Sequence, residues 1–89
     1  MELHELRAFQ TVAAERSFSR AAARLHRTQP AISQAVRRLE TELGERLFDR
    51  SSKGGRLTEA GTILLDYAER LSRLTDEAEG AVRELQELR

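Results

Sequence analysis

Ser17-Phe18-Ser19-Arg20-Ala21-Ala22-Ala23-Arg24-Leu25, then His26-Arg27-Thr28, then Gln29-Pro30-Ala31-Ile32-Ser33-Gln34-Ala35-Val36-Arg37-Arg38 is the stretch that decides the fold. Its first part predicts a short helix with Ser19 as N-cap and Phe18, Ala21, Ala22 and Leu25 on the apolar side. The alanines leave that side nearly free of side chains, so another helix can cross closely. His26-Arg27-Thr28 is a tight connection. Thr28 is the next N-cap, and Pro30 falls in the first helical turn, where a missing N–H costs nothing. The helix that follows runs from Gln29 to about Leu43, and Gly44 supplies its stop. Its core stripe is Ile32, Val36, Leu39 and Leu43, and its other face carries Gln29, Pro30, Ser33, Gln34, Arg37, Arg38 and Thr41. A short Ala-rich helix, a three-residue turn and a longer helix with a polar face make a helix-turn-helix pattern.

In that geometry the second helix enters the DNA major groove. The residue types suit base edges. Gln29 and Gln34 can pair with adenine N6 and N7, Arg37 or Arg38 with guanine O6 and N7, Ser33 can donate or accept, and Pro30 can touch a thymine methyl. Thr28 and the first-turn amides suit a phosphate. Arg20, Arg24 and Arg27 lie at i, i+4 and i+7 opposite the apolar side, placed to face a DNA backbone.

Upstream, Leu3, Leu6, Phe9, Val12 and Ala13 recur at helical spacing and predict a first helix from about Leu3 to Glu15. Downstream, Leu47-Phe48-Asp49-Arg50 and Arg56-Leu57-Thr58 flank Gly54-Gly55 and read as a small hairpin, with Arg50, Lys53 and Arg56 around its tip. A basic wing of this kind can follow the backbone or enter a narrow minor groove. Two strands alone are marginal, so Leu47, Phe48 and Leu57 must pack on the helices. Thr58 caps a last helix, with Glu59 placed against its N-terminal dipole. That helix runs to Leu88 without a proline, roughly 46 Å at about 1.5 Å per residue. Leu64, Tyr67, Leu71, Leu74, Ala78, Ala81, Leu85 and Leu88 alternate spacings of three and four, a heptad seam. One packed helix needs such a stripe for only part of its length, so the seam predicts a partner, most simply a second copy of the chain. The expected fold is mainly α: a winged helix-turn-helix over 1–58, with a small two-stranded wing, and a long linker or dimerisation helix over 59–89.

Composition bounds the alternatives. The chain has 89 residues, a net charge of zero and no cysteine, which excludes disulfides and thiolate metal sites. A chain this short buries about 60–65% of the surface its unfolded form exposes, so a partner surface would help it. No apolar run approaches a membrane span and no signal peptide is visible, so the expected compartment is the cytosol. The zero conceals a division. Through Thr58 eleven cations face seven anions, and from Glu59 onward four arginines face eight acids. Between Arg16 and Arg38 there are six arginines and no acid, which suggests a polyanion partner. His4 and His26 have no neighbours at metal-ligand spacing. Ser33, His26 and Asp49 come without a nucleophile elbow or oxyanion site. Gly54-Gly55 is followed by no Gly-Lys-Ser/Thr, and four aromatics are too few for single-strand stacking. No catalysis, metal or cofactor is expected. The competing reading is a coiled-coil interaction module whose arginines merely solubilise it.

Residues Leu3 to Leu71 resemble the amino-terminal DNA-binding domain of LysR-type transcriptional regulators of bacteria. The resemblance lies in Leu6-Arg7-Ala8-Phe9, Ser17-Phe18-Ser19-Arg20-Ala21-Ala22 with Leu25, and Thr28-Gln29-Pro30-Ala31-Ile32-Ser33. Leu39-Glu40, Leu43-Gly44, Leu47-Phe48-Asp49-Arg50 and Leu57-Thr58-Glu59-Ala60-Gly61 complete it. It implies a winged helix-turn-helix whose linker helix pairs with that of a second subunit. Gln29, Pro30, Ser33 and position 34 would face bases, and Arg50 and Lys53 would serve the wing. Position 34 varies in the family, so Gln34 bears on target choice. The resemblance also implies that a small-molecule effector acts through a further domain absent here, and that full-length members often form tetramers. The chain stops at Leu88-Arg89 within the heptad pattern and without a cap, which reads as an isolated DNA-binding fragment or a natural truncation.

Overall fold

Four helices in the computed structural model follow from local signals in the chain: α1 (Leu3–Glu15), α2 (Phe18–Arg24), α3 (Gln29–Leu43) and α4 (Glu59–Leu88). The structure describes residues 1–49, 51 and 56–89. At the start of α1 the Glu2 N–H donates to the buried Glu5 carboxylate at 3.1 Å. The helix ends as Arg16 turns left-handed (φ 54°) and its N–H closes on the Val12 carbonyl at 2.7 Å. Ser17, not Ser19, caps α2. Its backbone is extended and its hydroxyl accepts the Arg20 N–H at 3.1 Å. With the cap two residues earlier, Phe18 becomes the first helical residue.

The turn between α2 and α3 is a Schellman motif. The Arg27 N–H reaches the Ala22 carbonyl at 2.9 Å and the His26 N–H reaches Ala23 at 3.2 Å, with His26 at φ 55° where glycine is the usual choice. The Thr28 hydroxyl accepts the Ala31 N–H at 3.3 Å to start α3, and Gly44 ends it at φ 71°. Both ends of α3 match the sequence expectation.

The core lies where α1, α2 and α3 meet, with Leu6, Phe9 and Val12 of α1, Ala21 and Ala22 of α2, and Ile32, Val36 and Leu39 of α3 all buried. Leu43 was expected in that stripe but is 43% exposed. It lies in the last turn of α3, and Glu40 is buried there instead. The Glu40 carboxylate accepts the Leu47 N–H at 2.9 Å, which ties the segment after α3 to the helix itself. Leu47 and Phe48 then enter the core. The Phe48 ring stands 5.3 Å from Phe9 and 5.5 Å from Phe18, the latter edge-on. These are favourable aromatic geometries.

The two arms after α3 pair antiparallel through one bridge, Phe48 with Leu57. It is flanked by Asp49 N–H to the Arg56 carbonyl at 2.7 Å and Thr58 N–H to the Leu47 carbonyl at 3.0 Å. A two-stranded wing was expected. Among the described residues the pairing is this single bridge. The expected tip, including Arg50 and Lys53, lies outside the described residues.

Thr58 caps α4 by accepting the Gly61 N–H at 3.0 Å, and its hydroxyl donates to the Arg46 carbonyl at 2.6 Å. Gly61 lies where α4 crosses the base of the wing. A Cβ there would collide with the Leu47 carbonyl oxygen and meet Leu57 Cδ2 at 2.9 Å. The first turns of α4 pack on α1 through Ala68 and through the Ser72 hydroxyl, which donates to Gln10 at 2.8 Å. The remaining turns project from the body, and the molecule measures 54 × 25 × 19 Å. No helix is long and apolar enough to cross a membrane among the described residues.

Candidate nucleic-acid interface

α3 is anchored on one side and open on the other. Ile32, Ala35, Val36 and Leu39 are buried against α1 and α2. On the opposite side Gln29, Pro30, Gln34, Arg37, Arg38 and Thr41 are exposed and Ser33 is half-buried. A helix of 15 residues is about 22 Å long. Its polar face therefore offers a full row of donors and acceptors to a groove about 12 Å wide. Gln29 is oriented before any ligand arrives, because Ser19 Oγ donates to its Oε1 at 3.1 Å. Ser19, expected to cap α2, makes this contact instead. Once Ser17 caps α2, Ser19 is free to point from the first turn of α2 towards the start of α3.

The basic residues divide into two groups. Arg20 and Arg24, expected on a phosphate backbone, reach back to α1. Arg24 Nη1 lies 3.1 Å from the Glu15 carboxylate, and Arg20 Nη2 donates to the Glu15 carbonyl at 2.8 Å. Both side chains stay more than half exposed. Exposed pairs of this kind contribute little to stability and can be exchanged for a stronger anion. Arg27, Arg37 and Arg38 form no ion pair among the described residues. Arg56 is exposed on the second arm of the wing base. The opposite arm carries Asp49, which accepts the Ser51 hydroxyl at 2.6 Å and its N–H at 2.9 Å. These two hydrogen bonds, with Arg56 nearby, hold the Asp49 carboxyl below its ordinary pKa. Among the described residues no group of three or more His, Cys, Asp or Glu converges to hold a metal.

The seam on α4 is mostly open. Tyr67, Leu71, Leu74, Leu85 and Leu88 are all exposed large apolar residues, and Ala78 and Ala81 are exposed with them. Leu64 is the exception. It packs half-buried against the core on the inner side of α4. Ile63, 57% exposed, takes its place in the open stripe, and Val82, 64% exposed, widens the stripe further on. Periodicity alone could not choose between positions 63 and 64. The small residues Gly61 and Ala68 were the available signal, because they mark the side of closest helix crossing and place Leu64 and Leu65 on it.

Comparison with known proteins agrees with this geometry. Residues 3–62 match the family model described as bacterial regulatory helix-turn-helix protein, lysR family. The chain is 44% identical over 86 residues, 97% of its length, to the "Probable RuBisCO transcriptional regulator" of Synechocystis sp., of which it covers 25%. It is 46% identical over 85 residues, 96% of its length, to an uncharacterized HTH-type transcriptional regulator of Azotobacter vinelandii, of which it covers 59%. The chain thus spans about a quarter to three-fifths of these relatives. Among solved structures, the BenM DNA-binding domain in complex with catB site 1 DNA superposes with a TM-score of 0.91 at 35% identity, covering 96% of this chain and 94% of that one. The CbnR DNA-binding domain in complex with DNA gives a TM-score of 0.86 at 36% identity, covering 96% and 98%. By its helix-turn-helix, its wing base and the sequence they share with these regulators, the chain belongs to the lysR family of bacterial regulatory helix-turn-helix proteins and carries that family's DNA-binding domain.

Proposed function

We propose that the chain binds double-stranded DNA sequence-specifically as a homodimer, with α3 of each protomer in a major groove and the two sites forming an interrupted palindrome. The observation that carries this is the uncovered polar face of α3 opposite the buried Ile32, Ala35, Val36 and Leu39. Gln29, Pro30, Ser33, Gln34, Arg37 and Arg38 read base edges. Thr28, Arg20, Arg24 and Arg27 meet phosphates beside the helix-turn-helix, while Arg50, Lys53 and Arg56 of the wing follow the backbone or enter the minor groove. The functional division falls at 58/59, with the reading unit before it and the dimerisation helix after it. Dimerisation uses the open stripe of α4, from Tyr67 through Leu71 and Leu74 to Leu88. Because the linker helices hold the reading heads apart, they set the spacing of the half-sites. In a longer protein carrying an effector-binding domain, a small molecule would act through that domain.

Selection from random duplexes tests the reading. The expected product is a two-fold symmetric site with a fixed spacer, bound with an affinity that falls steeply with salt through counterion release. A coiled-coil module without DNA affinity would retain no duplex even at low salt. In the selected site Gln29→Ala is expected to cost about 1–3 kcal/mol and to relax preference at one base pair of each half. Equal weakening on cognate and scrambled duplexes would remove Gln29 from base reading.

A further inference from the structure

Beside the N-terminal half of α3 lies a groove of about 570 Å³ between α1 and the α2–α3 turn. Its apolar floor comes from α1, the end of α2 and the buried edge of α3, and its polar lining is His4, Arg7, Arg27, Gln34 and Arg38. Among the described residues no carboxylate lines it. Arg7 is absent from the helix-turn-helix stretch and lies 20 residues before Arg27, so only folding brings the two together. Each arginine is exposed, and none of the three forms an ion pair among the described residues. Two carboxylates on the flanking helices are engaged elsewhere. Glu15 binds Arg20 and Arg24, and Glu42, one turn beyond Arg38, is held by the Met1 ammonium at 2.8 Å.

The three cations stand on backbone that does not have to move. Arg7 is in the middle of α1, Arg38 is within α3, and Arg27 is the residue whose N–H closes the Schellman turn. Gln34 and Arg38 border both this groove and the polar face of α3. With α3 in a major groove, the nucleic acid strand edging that groove would run along it.

We infer that this groove is a phosphate-binding site for the DNA strand flanking the major groove, in which Arg7 of α1 joins Arg27, while Arg38 at its border stays with the base edges. The inference rests on the proposed major-groove role of α3. The occupant is DNA backbone on charge complementarity: the cations are unpaired, and they are continuous with the face that meets base edges. His4 adds an N–H donor at the rim. Arg7 carries no sequence information in this role. It fixes the angle at which α3 enters the groove.

The test measures binding of the wild type, Arg7→Gln and Arg7→Lys to the selected duplex and to a scrambled one across a range of salt. Arg73→Gln, an exposed arginine on α4, is the control. Arg7→Gln is expected to weaken both duplexes about five- to tenfold near 0.1 M salt and to lower the log–log salt slope by about 0.9. Arg7→Lys should keep the slope, and Arg73→Gln should match the wild type. Circular dichroism confirms that the exposed substitutions leave the helices folded. A slope for Arg7→Gln equal to that of the control overturns the inference. So does a loss confined to the selected duplex, which would make Arg7 a base reader. Unchanged DNA binding with a weakened dimer also overturns it, by assigning the groove to the acidic end of a partner's α4. If the wild type itself retains no duplex, the major-groove reading of α3 fails first and this site falls with it.

Discussion

Gln29 and Ser19 show how a single hydrogen bond can prepare a reading residue. A glutamine pairs with adenine through its carbonyl oxygen and its amide together, so its side-chain plane must be set. Ser19 donates to the Gln29 carbonyl oxygen and leaves one lone pair of that oxygen and both amide hydrogens available. Ser19→Ala removes the donor but no part of the α2 cap, which belongs to Ser17. It is expected to lower affinity for the selected site by about 0.5–1.5 kcal/mol while leaving thermal stability nearly unchanged. Parallel binding and melting measurements on this variant separate the two effects. An equal loss in stability would make Ser19 a structural residue only. The sequence pointed to Ser19 as the cap, and the structure gives that role to Ser17. The choice depends on Phe18, whose ring must lie edge-on to Phe48 some 30 positions later.

At the scale of elements, the decisive joint is where α4 crosses the base of the wing. Three local devices meet there. Glu40 holds the Leu47 N–H, Thr58 caps α4 while bonding the Arg46 carbonyl, and Gly61 lets the helix backbone approach Leu47. Gly61→Ala puts a methyl group into a carbonyl oxygen that is itself bonded to the Thr58 N–H. Neither partner can yield without breaking the pairing of the two arms. The expected cost is about 1–3 kcal/mol, a fall in Tm on the order of 4–24 °C for a domain of this size. Gly80→Ala serves as the comparison, because nothing lies within 4 Å of a Cβ at Gly80. That substitution should stabilise the exposed helix by up to about 1 kcal/mol. Calorimetry on the two variants should therefore show shifts of opposite sign. The sequence marked Gly61 only as part of a family-like run, and its backbone partner, Leu47, lies on another element.

For the whole molecule, charge and apolar surface are sorted along the long axis. The compact end carries the excess of cations, and α4 carries the excess of anions and most of the exposed large apolar residues. In the proposed dimer the stripe on α4 is covered and its acids are kept away from the phosphates. Leu74, 60% exposed, tests that arrangement better than Leu71, which also lines the crevice between α4 and α1. Leu74→Asp is expected to weaken the dimer by about 3 kcal/mol or more, at least a hundredfold, by burying an unpaired carboxylate in each protomer. Sedimentation over a range of concentration reads this directly. Survival of the dimer would move the interface off the Tyr67–Leu88 stripe. The monomer should keep its helix content, because the stripe faces away from the core and Ala68 and Ser72 still hold α4 to α1.

By itself, the sequence determined the helices, their order, the stop at Gly44 and the cap at Thr58, and the polar row from Gln29 to Arg38. These depend on caps and on apolar spacing within a few residues, which physical chemistry reads locally. The tertiary structure alone decided which serine caps α2 and that Leu43 stays outside the core while Glu40 goes in. It also decided that Ile63 rather than Leu64 joins the open face of α4. It tied Arg20 and Arg24 to Glu15 and brought Arg7 beside Arg27 and Arg38. In each case the deciding partner lies on another element. A helical pattern repeats every three or four residues and leaves a choice between neighbouring positions, and only the helix packed against it settles which of them turns inward.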